Sequence, residues 1–221
     1  YKLIVLAPNS VQEMSDHVKL AFDLAFKYRN PIMIQSDGVI GQMMEKVELF
    51  DQIPRSNKFP EWAATGKKNR EKYNIITSLD LDPYKKEKDN MRFQEKYRKI
   101  EENEVRYEKI QCDDADYLLI AYGSSARICQ KTIGLLRERG IKVGLFRPIT
   151  LYPFPKKEIG ELAKRIKGIL CVEMSAGQMI EDVLIATRQS PSVNVEHFGR
   201  YGGVVHTPEE VMDAFLNKFK N

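Results

Sequence analysis

The chain has few cysteines and few histidines, and no long apolar run. Cys112, Cys129 and Cys171 are far apart and odd in number, which excludes a disulfide framework and a cysteine-rich metal or iron–sulfur motif. They read as buried structural thiols. His17, His197 and His206 have no metal-ligand spacing, so no protein-ligated metal is expected. No apolar stretch reaches the roughly 18 residues that span a bilayer. The opening Tyr1-Lys2-Leu3 lacks a signal-peptide layout, and a cytoplasmic location is expected. Neither charge sign dominates: 35 Lys and Arg oppose 31 Asp and Glu, interspersed, which argues against a nucleic-acid surface. Internal repeats and low-complexity tracts are also lacking.

What is present alternates strand and helix. Lys2 to Leu6 is an apolar run ended by Ala7-Pro8-Asn9, and Ser10-Val11-Gln12-Glu13 forms a capping box that starts a helix. Val11, Met14, Val18, Ala21, Phe22 and Ala25 give that helix an apolar stripe, widened by Leu20, Leu24 and Phe26, so heavy coverage is expected. Asn30-Pro31 ends it, Ile32 to Ile34 is the next strand, and Asp37-Gly38 turns the chain. Residues 1–50 thus hold two strands and a crossover helix, too little for an independent sheet. Preceding strands of the same sheet are expected outside this sequence. The alternative is that the second domain supplies the neighbours.

Residues 51–112 shift to charged and polar composition, with Pro54, Pro60, Gly66 and Pro83 as breakers. This reads as a linker, helical from about Asn90 to Lys109, with Phe93, Tyr97, Ile100 and Tyr107 on a seam that packs onto a surface. Residues 113–221 predict strands at 117–122, 142–146, 169–174 and, as an edge, 193–198. Helices are predicted over 126–139, 155–167 and 177–188, and a last one starts at the Thr207-Pro208-Glu209-Glu210 cap. Near-continuous apolar strands between helices predict a three-layer α/β domain with a mainly parallel sheet.

Ligands in such sheets bind beyond the carboxyl ends of the strands. Four loops qualify. Gly123-Ser124-Ser125 opens a helix and offers either free amides for an anion or a tight turn with a capping serine; the Walker ending is absent. Glu173 ends an apolar run before Ser175-Ala176-Gly177-Gln178, where it can bond backbone amides, act as a base or, preferably, pair with an arginine. Gly199-Arg200-Tyr201-Gly202-Gly203 lacks the dinucleotide fingerprint and suits a flexible turn or a subunit contact. Asp37 reaches a ligand or caps the helix after it. No nucleophile–base pair or carboxylate pair can be singled out.

Taken in order, several stretches resemble the alpha subunit of thiamine-diphosphate-dependent 2-oxoacid:ferredoxin oxidoreductases of the 2-oxoisovalerate type. They include Val5 to Met14, Lys27-Tyr28-Arg29-Asn30-Pro31, Ser36-Asp37-Gly38, Gly41 to Glu45, Tyr122 to Arg127, Phe146 to Pro155, Val172 to Met179 and Gly199 to Glu210. The resemblance implies that residues 1–50 close an incomplete pyrimidine-type thiamine-binding domain and that 113–221 form a transketolase C-terminal-like domain. It also implies the reaction: a 2-oxoacid, coenzyme A and oxidised ferredoxin give acyl-coenzyme A, carbon dioxide and reduced ferredoxin. Beta and gamma subunits would be the partners. Thiamine diphosphate and magnesium would serve the full complex and iron–sulfur clusters the partner subunits, with none held by this stretch. No catalytic position carries over. Asp37, Gly38, Ser175, Gly177, Gln178, Arg200, Gly202 and Gly203 are the expected domain or subunit contacts. A non-catalytic assembly or regulatory module, and a transketolase-like enzyme of other specificity, are the competing readings.

Overall fold

A computed structural model describes residues 2–52, 58–67 and 70–220. The chain divides into two compact units, one made of residues 1–48 and 98–221 and the other of Leu49–Tyr97.

In the first unit, β1 (Ile4–Leu6) is followed by α1 (Val11–Tyr28) and β2 (Ile32–Ile34), which pairs with β1 in parallel. Ser10 caps α1 by accepting the Glu13 amide at 3.1 Å. Glu13 reaches back one residue further than a capping box requires, to the Asn9 amide at 2.9 Å. The buried side of α1 is not the expected one. His17 and Leu24 are buried, whereas Phe22 is 64% and Phe26 56% exposed, with Val18 also outside. The inward stripe therefore runs through 17, 24 and their helical neighbours, and the stripe read from Val11, Val18 and Phe22 lies about a third of a turn away.

The second sheet begins beyond helix α2 (Pro83–Asn103). Its strands are β3 (Tyr107–Ile110), β4 (Tyr117–Ile120), β5 (Val143–Pro148), β7 (Gly168–Glu173) and β8 (Asn194–Gly199), in the order β3-β5-β4-β7-β8. All pairs are parallel except β3 with β5. Helices α3 (Gly123–Glu138) and α6 (Pro208–Phe219) cover one face through Cys129, Ile133, Leu136, Val211 and Phe215. Helices α4 (Lys156–Ala163) and α5 (Met179–Thr187) cover the other through Ile159, Leu162, Met179 and Val183. That is the expected three-layer arrangement. Each of the fully buried Leu118, Leu119, Ile120, Leu145 and Phe146 contributes about 1.5–3 kcal/mol by leaving water. The three thiols are buried, and burial pushes Cys112 up to about 11.

Two elements differ from the expected picture. For β1 the alternative holds, and the second part of the chain supplies a neighbour. Strand β6 (Thr150–Tyr152) pairs with it antiparallel, so β1 lies in the middle of a sheet ordered β2-β1-β6. The cause is Pro148, which has no amide to continue a ladder. After it Ile149 and Thr150 both donate to the Arg106 carbonyl, Ala7 donates to the Ile149 carbonyl, and one extended stretch passes from the second sheet into the first. The helix expected over Asn90–Lys109 instead starts at Pro83, behind an Asp82 cap that accepts from Tyr84 and Lys85, and ends at Asn103. Tyr107 belongs to β3 and stacks on Phe146 with ring centroids 5.2 Å apart.

The two sheets are also tied by charge. Arg147, 3% exposed, donates to both Glu13 oxygens at 2.7 and 2.8 Å and to Glu108 at 2.9 Å. Replacing Arg147 with methionine should cost about 1–3 kcal/mol, since Glu13 and Glu108 are partly solvated and can turn to water. A thermal melt checks this, and an unchanged midpoint would argue against the tie.

In the second unit, Arg70 donates to the Ala63 carbonyl and to Thr65, and Asn74 to the carbonyls of Glu61 and Ala63. Tyr73, Ile75, Leu79 and Leu81 are exposed. The breaker Pro54 lies outside the described residues. No helix among the described residues is long and apolar enough to cross a membrane.

Candidate functional site

The loops that leave β2, β4, β7 and β8 meet at one end of the first unit. A cavity of about 210 Å³ is lined by Gln35, Ser36 and Asp37 after β2, Tyr122 and Ser125 after β4, and Met174, Ser175 and Gln178 after β7. A wider groove of about 610 Å³ shares Asp37 and Met174 with it and adds Gly38, Val39, Met43, Arg200, Tyr201, Gly203, Val204 and Val205. Of the eight positions expected as contacts, six line this crevice, Asp37, Gly38, Ser175, Gln178, Arg200 and Gly203, and Gly202 sits in its loop between lining residues. The eighth, Gly177, likewise sits beside the lining residue Gln178, and a Cβ added to it would stand 3.7 Å from the His197 ring. Gln35, Tyr122 and Met174 were not singled out. Each follows an apolar strand by one or two residues, which is the signal that would have found them.

Two helix N-termini point at the crevice, and the protein's own carboxylates fill both. Asp37 accepts from the Ser124 amide at 2.8 Å and the Ser124 hydroxyl at 2.6 Å, which caps α3, and from the Val39 and Ile40 amides, each at 3.0 Å. Neither reading of the Gly123 turn holds as stated: the Ser124 amide is spent on Asp37, and no serine side chain caps the helix, the Ser124 hydroxyl donating to Asp37 as well. Gly123, at φ +58, brings the backbone so close that a Cβ would stand 2.7 Å from Asp37 Oδ2. Burial acts most strongly on the Asp37 carboxyl and raises it, but the Ser124 hydroxyl and the amides together hold it below the ordinary value.

Glu173 does the same for α5. It is 1% exposed and accepts from the amides of Gln178 (3.0 Å), Met179 (2.8 Å) and Ile180 (3.0 Å) and from the Ser175 hydroxyl (2.9 Å). The arginine pairing expected for it is not found; three amides at a helix start satisfy a buried carboxylate better than a side chain that must itself be desolvated. Burial raises its carboxyl, and the Met179 and Gln178 amides outweigh that, leaving it below the ordinary value. His197 Nε2 lies 3.6 Å away. Arg200 pairs with Glu210, whose other oxygen closes the Thr207 capping box. His206 is buried with Nε2 3.1 Å from the Ser125 hydroxyl, and burial lowers its pKa.

The loops hold one another closely. A Cβ on Gly199 would come within 2.2 Å of the Ser175 carbonyl. Gly199→Val should therefore displace the Ser175 loop and cost about 1–3 kcal/mol, read as an earlier denaturant midpoint; wild-type stability would mean that the loops do not pack as described.

Among the described residues no group of three or more His, Cys, Asp or Glu could hold a metal. Nor do these residues fit a diphosphate: the amides that would hold one are occupied by Asp37 and Glu173. Ser125 and His206 do not make a nucleophile with an oriented base, because the Nδ1 of His206 has no hydrogen-bond partner to hold the ring.

Comparison with known proteins gives this geometry a setting. Residues 1–111 match the family described as pyruvate flavodoxin/ferredoxin oxidoreductase, thiamine diphosphate-binding, and residues 115–211 match pyruvate:ferredoxin oxidoreductase core domain II. Ketoisovalerate oxidoreductase subunit VorB of Methanothermobacter marburgensis is 47% identical over 203 residues, covering 92% of this chain and 56% of VorB. The 2-oxoglutarate synthase subunit KorA of Methanocaldococcus jannaschii is 33% identical, over 98% of this chain and 64% of KorA. The chain spans little more than half the length of these curated relatives. Among solved structures, a 2-oxoglutarate:ferredoxin oxidoreductase from Magnetococcus marinus matches 97% of this chain and 42% of its own, with a TM-score of 0.73 at 20% identity. A split-gene transketolase matches with a TM-score of 0.55 at 12% identity. The α/β fold is thus shared with both groups. The alpha-subunit designation does not carry over, because the 47% identical relative is designated VorB.

Proposed function

Since the chain belongs to the pyruvate flavodoxin/ferredoxin oxidoreductase family, we propose that it is the assembly-bearing part of a subunit of a 2-oxoisovalerate:ferredoxin oxidoreductase. The reaction proposed for the whole enzyme is oxidative decarboxylation of a 2-oxoacid with coenzyme A and ferredoxin. Thiamine diphosphate, magnesium and iron–sulfur clusters would be bound elsewhere in that complex. The substrate rests on the identity margin, 47% to a ketoisovalerate oxidoreductase subunit against 33% to a 2-oxoglutarate synthase subunit. The non-catalytic role rests on one observation: both anion positions at the strand ends are closed by internal carboxylates. What those loops offer instead is a crevice lined from four strand ends, suited to receive another polypeptide.

Two measurements test the reading. Reconstituted with the full-length subunit and its partners, the enzyme should favour 2-oxoisovalerate over 2-oxoglutarate and pyruvate in kcat/KM by at least about tenfold. Equal rates or the reverse order would remove the substrate assignment. A Cβ added at Gly38 meets nothing within 4 Å, so Gly38→Trp should melt like wild type and weaken subunit association on a sizing column. Unchanged association would remove the assembly role.

A further inference from the structure

The lining of the smaller cavity is one-sided in its chemistry. It presents the Asp37 carboxylate, the Gln35 and Gln178 amides, the Ser36, Tyr122, Ser125 and Ser175 hydroxyls and the Met174 thioether, and no lysine, arginine or histidine. A second carboxylate, Glu173, stands directly behind Ser175. Among the described residues every hydrogen bond to these two carboxylates comes from a neutral amide, hydroxyl or thiol, so their charges are dispersed but not cancelled; His197 lies 3.6 Å from Glu173, His206 stands behind Ser125, and Arg200, in the adjoining groove, is paired with Glu210. The Tyr122 phenol responds to this field: burial and then Glu173 push it above its ordinary value.

Resting on the assembly reading above, we propose that this cavity receives the cationic head of a lysine or arginine side chain from another polypeptide of the complex. The negative field selects a cation, and the acceptors around it replace the water that an ammonium or guanidinium must shed. The adjoining groove selects a side chain over a free ion. Val39, Met43, Met174, Val204 and Val205 offer an apolar wall continuous with the cavity through Asp37 and Met174, which suits the methylene stem behind such a head. A volume of about 210 Å³ takes one such head with part of its stem.

The test leaves Asp37 and Glu173 in place, because both are needed by the fold. Gln35 is exposed at the cavity rim and its side chain enters no described hydrogen bond. Gln35→Lys puts an internal ammonium into the cavity and should weaken subunit association about tenfold or more, while Gln35→Met, of similar length and uncharged, should change it about threefold or less. The isolated Gln35→Lys subunit should melt no lower than wild type, since its new charge faces two carboxylates. Equal weakening by both variants would mean contact without cation recognition and would overturn the inference while leaving the assembly reading intact. Wild-type association in both variants, with Gly38→Trp still disruptive, would also overturn the inference alone; if Gly38→Trp is silent as well, both readings fall. Titration of n-butylammonium onto the isolated subunit separates the sources: saturable binding together with unchanged assembly of Gln35→Lys would assign the cavity to a small amine instead.

Discussion

Replacing Glu173 with alanine should lower the stability of the first unit by about 3–5 kcal/mol, the largest loss expected from any single substitution at the crevice. The carboxylate is 1% exposed and serves five donors, among them the first two amides of α5 and the amide of its N-cap Gln178. The Met179 amide is buried and stays unpaired beside Val183 once the carboxylate is gone, while those of Gln178 and Ile180 are only partly buried. Glu173→Gln keeps one carbonyl oxygen but turns an NH2 towards N–H donors, and should recover only part of the loss. Equilibrium unfolding in denaturant measures both. A cost for Glu173→Ala below about 1 kcal/mol would show that α5 does not depend on this cap.

Asp37→Ala should follow, at about 2–4 kcal/mol, because one carboxylate serves both the turn after β2 and the start of α3. It should also differ in kind. Loss of Asp37 frees the loop after β2 from α3, so amide exchange should quicken at Val39, Ile40 and Ser124 before it does in β4 or β7. Uniform quickening across the sheet would count against a local tether.

Both carboxyls impose the same dependence on acidity. Each titrates below its ordinary value in the folded chain. A depressed folded pKa gives stabilisation that is complete above the unfolded pKa and is lost as pH falls through the folded one. Wild type should therefore lose stability on the acid side of the ordinary carboxylate range more steeply than Glu173→Gln or Asp37→Asn. Parallel curves would contradict the assignment.

Much of this was legible in the residues. Tyr117 to Ile120 and Gly168 to Glu173 are almost wholly apolar because they are covered on both faces, and such runs show themselves without knowledge of the partner. The Thr207 and Ser10 caps were visible for a similar reason, since a cap is settled within four residues. The pairing of β1 with β6 was not visible. Thr150–Tyr152 is short, and its partner is remote in sequence. The face of α1 was misjudged because Phe22 and Phe26 lie outside the packed side, which composition alone does not record. At the crevice, the strand-end rule located the loops, but the bond from Ser124 to Asp37 joins residues 87 positions apart, and local spacing has no means of reporting it.

The run from Val143 to Tyr152 serves two ladders in turn. During synthesis, then, Leu6 stays without its antiparallel neighbour until Thr150 has left the ribosome. The unit of β1, α1 and β2 therefore completes this pairing late in folding.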